Sequence, residues 1–265
     1  MKFESFAEQH GLIIDHLVYD KWTRVKTLDH PNKRNGSYIY SGNCGALQDW
    51  SKHEKPVLWR GQDYKPDPQL AAKRKKSEQI TLQRQAAAAK RASWILSQCA
   101  ETTHPYLAAK GFPELKGYVW EGNLVIPMRI DGNISGLQTI SQDGTKRFLS
   151  GQCNKGAVYI MDNKGIPILC EGMATALSVR RALKCNKTRY KLVVCFSAGN
   201  LSDMAKSYPD CVIVADNDPV GIKVAQGYPH WVSDIEKEDF NDAELRLGAY
   251  EAGKLLIAAF PAALA

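Results

Sequence analysis

The sequence predicts an α/β protein: its carboxyl-terminal part is built from βα units on a mostly parallel sheet, and a strand-rich region, a long helix and a small β-rich module precede it. Three observations carry that prediction. From Ile166 onward, apolar runs (IPILC, KLVVCF, CVIVAD) alternate with helical stretches (ATALSVRRAL, NLSDMAKSY, VGIKVAQG), the pattern of buried strands separated by helices. Before them, NLVIPMRI, ISGLQTIS and KRFL are separated by Asp131-Gly132 and Asp143-Gly144, pairs whose backbones accept the positive φ of tight hairpins. Earlier still, DPQLAAKRKKSEQITLQRQAAAAKRASWILSQCAE is rich in Ala, Lys, Gln and Arg, which favours helix.

Taken in order, Tyr38 to Trp59 mixes aromatic and β-branched residues with turn-formers at Ser41-Gly42-Asn43 and Ser51-Lys52, and this predicts a small antiparallel sheet. Asp67-Pro68 supplies an N-cap and a first-turn proline for the long helix. The resulting division is a β-rich module over 1–62, a basic helical linker over 63–103, a strand-rich subdomain over 104–162 and a βα catalytic domain over 163–265. No internal repeat is found.

Composition narrows the function classes. The 265 residues are 44% hydrophobic, as in globular proteins, and the formal charge of +7 favours an anionic partner without identifying it. No apolar run approaches the roughly 20 residues of a membrane span, and MKFESFAEQHGLIIDHLVYD lacks the apolar block of a signal peptide, so a soluble, cytoplasmic protein is expected. The seven cysteines contain no CxxC pair and are read as mostly buried thiols. Cys44 with His53 and His30 can be drawn as a degenerate zinc site, but paired close ligands are missing. Lys73, Arg74, Lys75 and Lys76, followed by Arg84, Lys90 and Arg91, make the helix strongly positive. That run is either a solvated linker or a phosphate-tracking surface.

The chemistry concentrates at strand ends. Glu171 follows PILC, and Asp216 and Asp218 follow CVIVA. In an open parallel sheet reactive groups collect at the carboxyl ends of the strands, and three carboxylates from two strands suit a hard cation such as magnesium or manganese. Asp216-Asn217-Asp218-Pro219 taken alone also serves as a turn and helix cap. The strand-Glu-Gly element and the strand-Asp-x-Asp element occur in order, one βα unit apart, which strengthens the metal reading. A further acidic cluster, Glu238-Asp239-Phe240-Asn241-Asp242, has the composition of an ordinary helix N-cap.

The series ILCEGMATALSV, VVCFSAGNL, VIVADNDPVG and EDFNDAE resembles the TOPRIM domain of bacterial-type primases, topoisomerases and some nucleases, and most closely that of phage and plasmid primase-like proteins. GNLVIPMRIDGNISGLQTISQDGTKRFLSGQCNKGAVYI is similar to the strand-rich subdomain ahead of TOPRIM in bacterial-type replicative primases. The matches run from about His104 to Asp242. NGSYIYSGNCGALQDW looks like a module found ahead of the helical linker in mobile-element TOPRIM proteins.

The resemblance implies a metal-binding role for Glu171, Asp216 and Asp218, with Asp239 and Asp242 at a second metal, the ion being Mg2+ or Mn2+. It places Lys146, Arg147 and Lys155 on a basic surface facing nucleoside triphosphates or template, although a solvated hairpin strand and a common Lys-Gly turn would look alike. The implied activity is that of a DNA primase making short RNA primers on single-stranded DNA. Single-stranded DNA, nucleoside triphosphates and a separate replicative helicase are the implied partners. A TOPRIM nuclease acting through the same carboxylates, and a non-catalytic single-stranded-DNA-binding replication protein, are the alternatives. The sequence departs from the bacterial-type pattern in having no zinc ribbon before the catalytic region and no GxxxxGK[ST] motif after it. Template selection and helicase coupling are the features those departures touch.

Overall fold

The computed structural model describes residues 1–53, 55–62, 64 and 68–260, apart from the side chains of 68–71, 73 and 74. Asp67, the expected helix cap, and the side chains of Lys73 and Arg74 therefore lie outside the described residues. The chain forms two compact units, Met1–Ser77 and Glu78–Ala265.

The first unit holds helix α1 (Phe3–Gln9) and strands β1 (Leu12–Ile13), β2 (Thr23–Thr27), β3 (Gly36–Tyr40), β4 (Cys44–Asp49) and β5 (Val57–Arg60), which pair antiparallel in chain order. The sheet anticipated over Tyr38 to Trp59 is β3 to β5, extended by β1 and β2. Its apolar face is aromatic: Phe3 stacks on Tyr40 at 4.9 Å and meets Trp59 edge-on at 5.5 Å, above buried Tyr38 and Leu47. Gly45 makes room for that packing, because a Cβ there would come within 2.6 Å of the Phe3 ring.

The predicted long helix is α2 (Pro68–Gln98). Ala88, Ala92 and Ile95, spaced four and three apart, form a buried stripe, of which Ala92 and Ile95 pack with Val125 and Leu137 of the next sheet. Lys75, Lys76, Arg84, Lys90 and Arg91 are exposed. After β6 (Ala100–Thr103) and α3 (Pro105–Ala109), whose N-cap is His104, come β7 (Lys116–Trp120), β8 (Asn123–Ile130), β9 (Asn133–Ile140) and β10 (Lys146–Phe148). This second sheet is antiparallel in the order β10-β9-β8-β7-β6. Asp131 and Gly132 have φ of 48° and 80°, the conformation their sequence demands. Asp143-Gly144 behaves differently: only Gly144 has positive φ, and the Asp143 carboxylate accepts from Thr145 N at 2.9 Å in a wider turn.

The remaining elements are β11 (Tyr159–Asp162), β12 (Pro167–Cys170), α4 (Met173–Cys185), β13 (Lys191–Val194), α5 (Ala198–Ser207), β14 (Val212–Val214), α6 (Pro219–Ala225), β15 (His230–Trp231), α7 (Phe240–Leu247) and α8 (Ala249–Ala259). The third sheet has the order β11-β13-β12-β14-β15, parallel except for β11. Its strands are buried on both faces, which is why they read as unbroken apolar runs. Ile168, Cys170, Leu192 and Val194 enter one core with α4, whereas Leu169, Val193, Ile213 and Ala215 enter a second core with α5 and α6. Leu124, Ile126 and Met128 of β8 belong to the first of these cores. The strand-rich subdomain and the βα domain, divided at 162/163 in the sequence reading, thus share one hydrophobic interior.

Three cysteines, Cys170, Cys195 and Cys211, are buried; Cys185 is exposed and the other three are partly so. The expectation of mostly buried thiols holds only for those at the third sheet. Among the described residues no helix is long and apolar enough to cross a membrane.

Candidate active site

Strand order places the carboxylates. In the third sheet β12 lies between β13 and β14. The chain leaves β12 through α4 on one face and leaves β14 through α6 on the other. Where successive helices diverge from neighbouring parallel strands, a crevice opens outside their carboxyl ends. Glu171 follows β12 directly and Asp216 lies two residues beyond β14, so both reach this crevice from rigid strands.

The electrostatics agree with that placement. Burial raises the Glu171 carboxyl above its ordinary value, helped by Asp218 and opposed by Lys146. Asp216 is pushed up to about 6, chiefly by burial and then by the charges of Asp239, Glu171 and Asp218, with Lys146 again opposing. Four carboxylates therefore share one field with one ammonium group. Asp216 Oδ1 is buried without a hydrogen-bond partner, an oxygen that a cation or a donor would satisfy.

Asp218 also caps α6, its Oδ1 accepting from Val220 N at 2.9 Å and Gly221 N at 2.7 Å. The turn-and-cap reading of this triplet and the acidic-site reading thus describe the same residue. Asp239 caps α7, accepting from Asp242 N at 2.9 Å, and it acts on both Asp216 and Tyr106. Asp242 is exposed in the first turn of α7.

All these donors are oxygens, which suits Mg2+ or Mn2+. Among the described residues, however, no three His, Cys, Asp or Glu side chains converge closely enough to hold an ion by themselves. Magnesium commonly binds through one or two carboxylates, its own waters and substrate phosphates, so a loose oxygen cluster with an orphaned Asp216 Oδ1 fits it. Cys44, His53 and His30 form no such group either, and His53 Nδ1 instead accepts from Asp49 N at 3.1 Å.

The basic residues separate. Lys146 pairs with Ile140, which pairs with Leu124, a residue of the core shared with the third sheet. Its ammonium lies over α4's first residues, since a Cβ at Gly172 would sit 3.8 Å from Lys146 Nζ. Arg147 pairs with Thr139, which pairs with Val125 on the α2 side. Alternation along a strand sends these neighbours to opposite faces, so they do not form one basic surface. Lys155 is 84% exposed and pairs with Asp203 of α5 at 3.9 Å, and it is not among the charges acting on Glu171 or Asp216.

Several supporting residues hold the site through long-range bonds that the sequence does not show. Asn217 donates to Ser233 O at 2.8 Å and Ile235 O at 2.9 Å, tying the loop after β14 to the segment before α7. Within that segment Glu238 accepts from Arg246 Nε and Nη2, both at 2.9 Å. Glu244, 2% exposed, forms a bidentate pair with Arg181, which also donates to Gly111 O at 2.6 Å. Asn241 donates to Lys110 O and to Ser178 Oγ, both at 2.9 Å. Together these bonds clamp α4, α7 and the turn after α3.

Gly221 is equally structural: a Cβ there would come within 2.4 Å of the Asp216 carbonyl oxygen. Gly221→Ala should push the Asp216 backbone out of place and destabilise the unit by roughly 1–3 kcal/mol. Thermal unfolding measures this, and an unchanged midpoint would show that the loop adjusts without cost.

No protein-family model matches the chain. Among curated proteins, it is 30% identical over 260 residues to DNA primase TraC of Escherichia coli, a match covering 85% of this chain and 24% of that protein. The chain thus spans about a quarter of the length of that relative. Among solved structures it is similar to a chain, at 17% identity and a TM-score of 0.43, in the bacteriophage T7 lagging-strand DNA polymerase bound to primase domains of two gp4 subunits with an RNA/DNA hybrid and dTTP; this match covers 63% of this chain and 93% of that one.

Proposed function

We propose that the chain is a TOPRIM-type DNA primase of the phage or plasmid kind, synthesising short RNA primers on single-stranded DNA by metal-dependent nucleotidyl transfer. The observation that carries this reading is the crevice at the ends of β12 and β14, where Glu171, Asp216, Asp218 and Asp239 share one field with Lys146. The similarity to DNA primase TraC supports the same reaction class. Glu171, Asp216 and Asp218 would hold Mg2+ or Mn2+, with Asp239 and Asp242 toward a second ion, and the metal would supply neutralisation of charge on the transferring phosphoryl group. Lys146, whose ammonium lies over the start of α4 beside Glu171, would bind a phosphate of the nucleotide or template. Glu171, whose raised proton affinity suits a proton acceptor, would take up the proton of the attacking hydroxyl.

The test combines the protein, single-stranded DNA, the four ribonucleoside triphosphates and either Mg2+ or Mn2+. New oligoribonucleotides are expected. Shortened DNA would replace this reading with a nuclease, and binding without any covalent change would replace it with an accessory protein.

A further inference from the structure

We infer that the first unit carries its own binding surface for single-stranded nucleic acid, on the face of the five-stranded sheet that points away from its aromatic core. Phe3, Tyr38, Leu47 and Trp59 build the core face. On the opposite face, cross-strand register aligns Arg24 with Ser37 and Gln48, and Ile39 with Ala46 and Leu58. That face keeps large apolar groups in water: Trp22 is 48% exposed, Trp50 52% and Leu58 64%. Trp22 and Leu58 share one groove, and large apolar groups clustered in water mark a surface that something covers.

Charge selects the partner. The Arg24 guanidinium lies 5.1 Å from the centroid of the Trp50 ring, and Lys26 and Arg60 are exposed nearby on β2 and β5. Trp22, Ile39, Leu58 and Arg60 line a groove of about 570 Å³, and none of the described residues lining it is acidic. Exposed indole rings near cations, beside a groove whose described lining holds no acid, match a strand whose bases stack and whose phosphates pair. A duplex hides its base faces and offers the rings nothing.

The surface belongs to a different unit from the carboxylate crevice, so its failure and that of the primase reading are distinguishable. The experiment uses the full chain, a fluorescently labelled single-stranded DNA longer than about 16 nucleotides, and the equivalent duplex. Trp22→Ala and Trp50→Ala should each weaken single-strand binding at least about fivefold, the loss of one stacked base. Arg24→Ala with Lys26→Ala should lower the slope of log affinity against log salt by about 0.7 for each phosphate contact removed. To guard against misfolded variants, the wild-type protein should also photocross-link to a bromouracil-containing strand at Trp22 or Trp50. Tryptophan variants within about twofold of wild type, duplex bound as tightly as single strand, or cross-links confined to residues after Ser77 would each overturn the proposal.

Discussion

Asp216→Asn should sharply reduce nucleotidyl transfer and, in the absence of divalent cation at neutral pH, make the protein more stable. Both effects have one origin. Burial and three neighbouring carboxylates hold the Asp216 carboxyl at about 6 instead of its ordinary 3.8. A carboxyl whose proton affinity rises on folding contributes stability that is fully present below 3.8 and is lost as the pH rises through about 6. At pH 7.5 the ionised group is therefore a cost to the fold. Asparagine keeps the shape, removes the charge and can donate to the neighbouring carboxylates. A gain of one to two kcal/mol would raise the midpoint by about 2–8 °C for a domain of this size. That gain should shrink toward pH 5, where the wild-type group is largely protonated. Mg2+ should raise the wild-type midpoint more than the variant's, because binding stabilises only the state that binds. Turnover should fall on the order of a hundredfold or more, since Asp216 would help hold the cation whose positive charge would neutralise the phosphoryl oxygens, a contribution of several kcal/mol. Wild-type turnover would remove Asp216 from the site, and a midpoint lowered at every pH would remove the repulsion from its description.

The parts of the site legible in the sequence are those with local signatures. Glu171 and Asp216 stand beside the strands that position them, and a run such as PILC or CVIVA announces a buried strand without help from the rest of the chain. Asp131-Gly132 likewise encodes its own turn. The equally tight turn at Glu121-Gly122, with φ of 46° and 72°, went unseen because glutamate seldom adopts positive φ. What the sequence concealed depends on pairing at a distance. Lys146 and Arg147 look like one basic pair until the register with β9 sends them to opposite faces. Arg181 and Glu244 are 63 residues apart and meet only because α4 packs beside α7. The shared core of the second and third sheets has the same character: Met128 and Ile168 carry no mark of belonging together. Helix α8 also escaped the sequence reading. It follows Gly248 at once and packs Ala252, Gly253 and Leu256 inward, with Gly253 so close to α4 that a Cβ would meet Ala182 O at 2.6 Å.

Lys146 and Lys155, equivalent candidates in the sequence, should separate sharply in kinetics. Lys146 lowers the proton affinity of both Glu171 and Asp216 and lies over the start of α4, whereas Lys155 is engaged with Asp203 at the surface. Lys146→Ala should raise the nucleotide KM or stop primer synthesis, with a loss of about tenfold to a thousandfold in kcat/KM, as for removal of one preorganised charge contact. Lys155→Ala should stay within a few-fold of wild type, because an exposed ion pair contributes less than about 1 kcal/mol. A second readout excludes a merely structural role for Lys146. Removing its ammonium raises the proton affinity of Glu171 and Asp216 further, so the acidic limb of the pH–rate profile should move to higher pH in Lys146→Ala and stay in place in Lys155→Ala. Lys146→Arg, which keeps the charge, should restore the wild-type limb even where its longer side chain lowers the rate. Equal losses in the two lysine variants, or an acidic limb that does not move, would place the Lys146 charge outside the reaction and leave the crevice to its carboxylates.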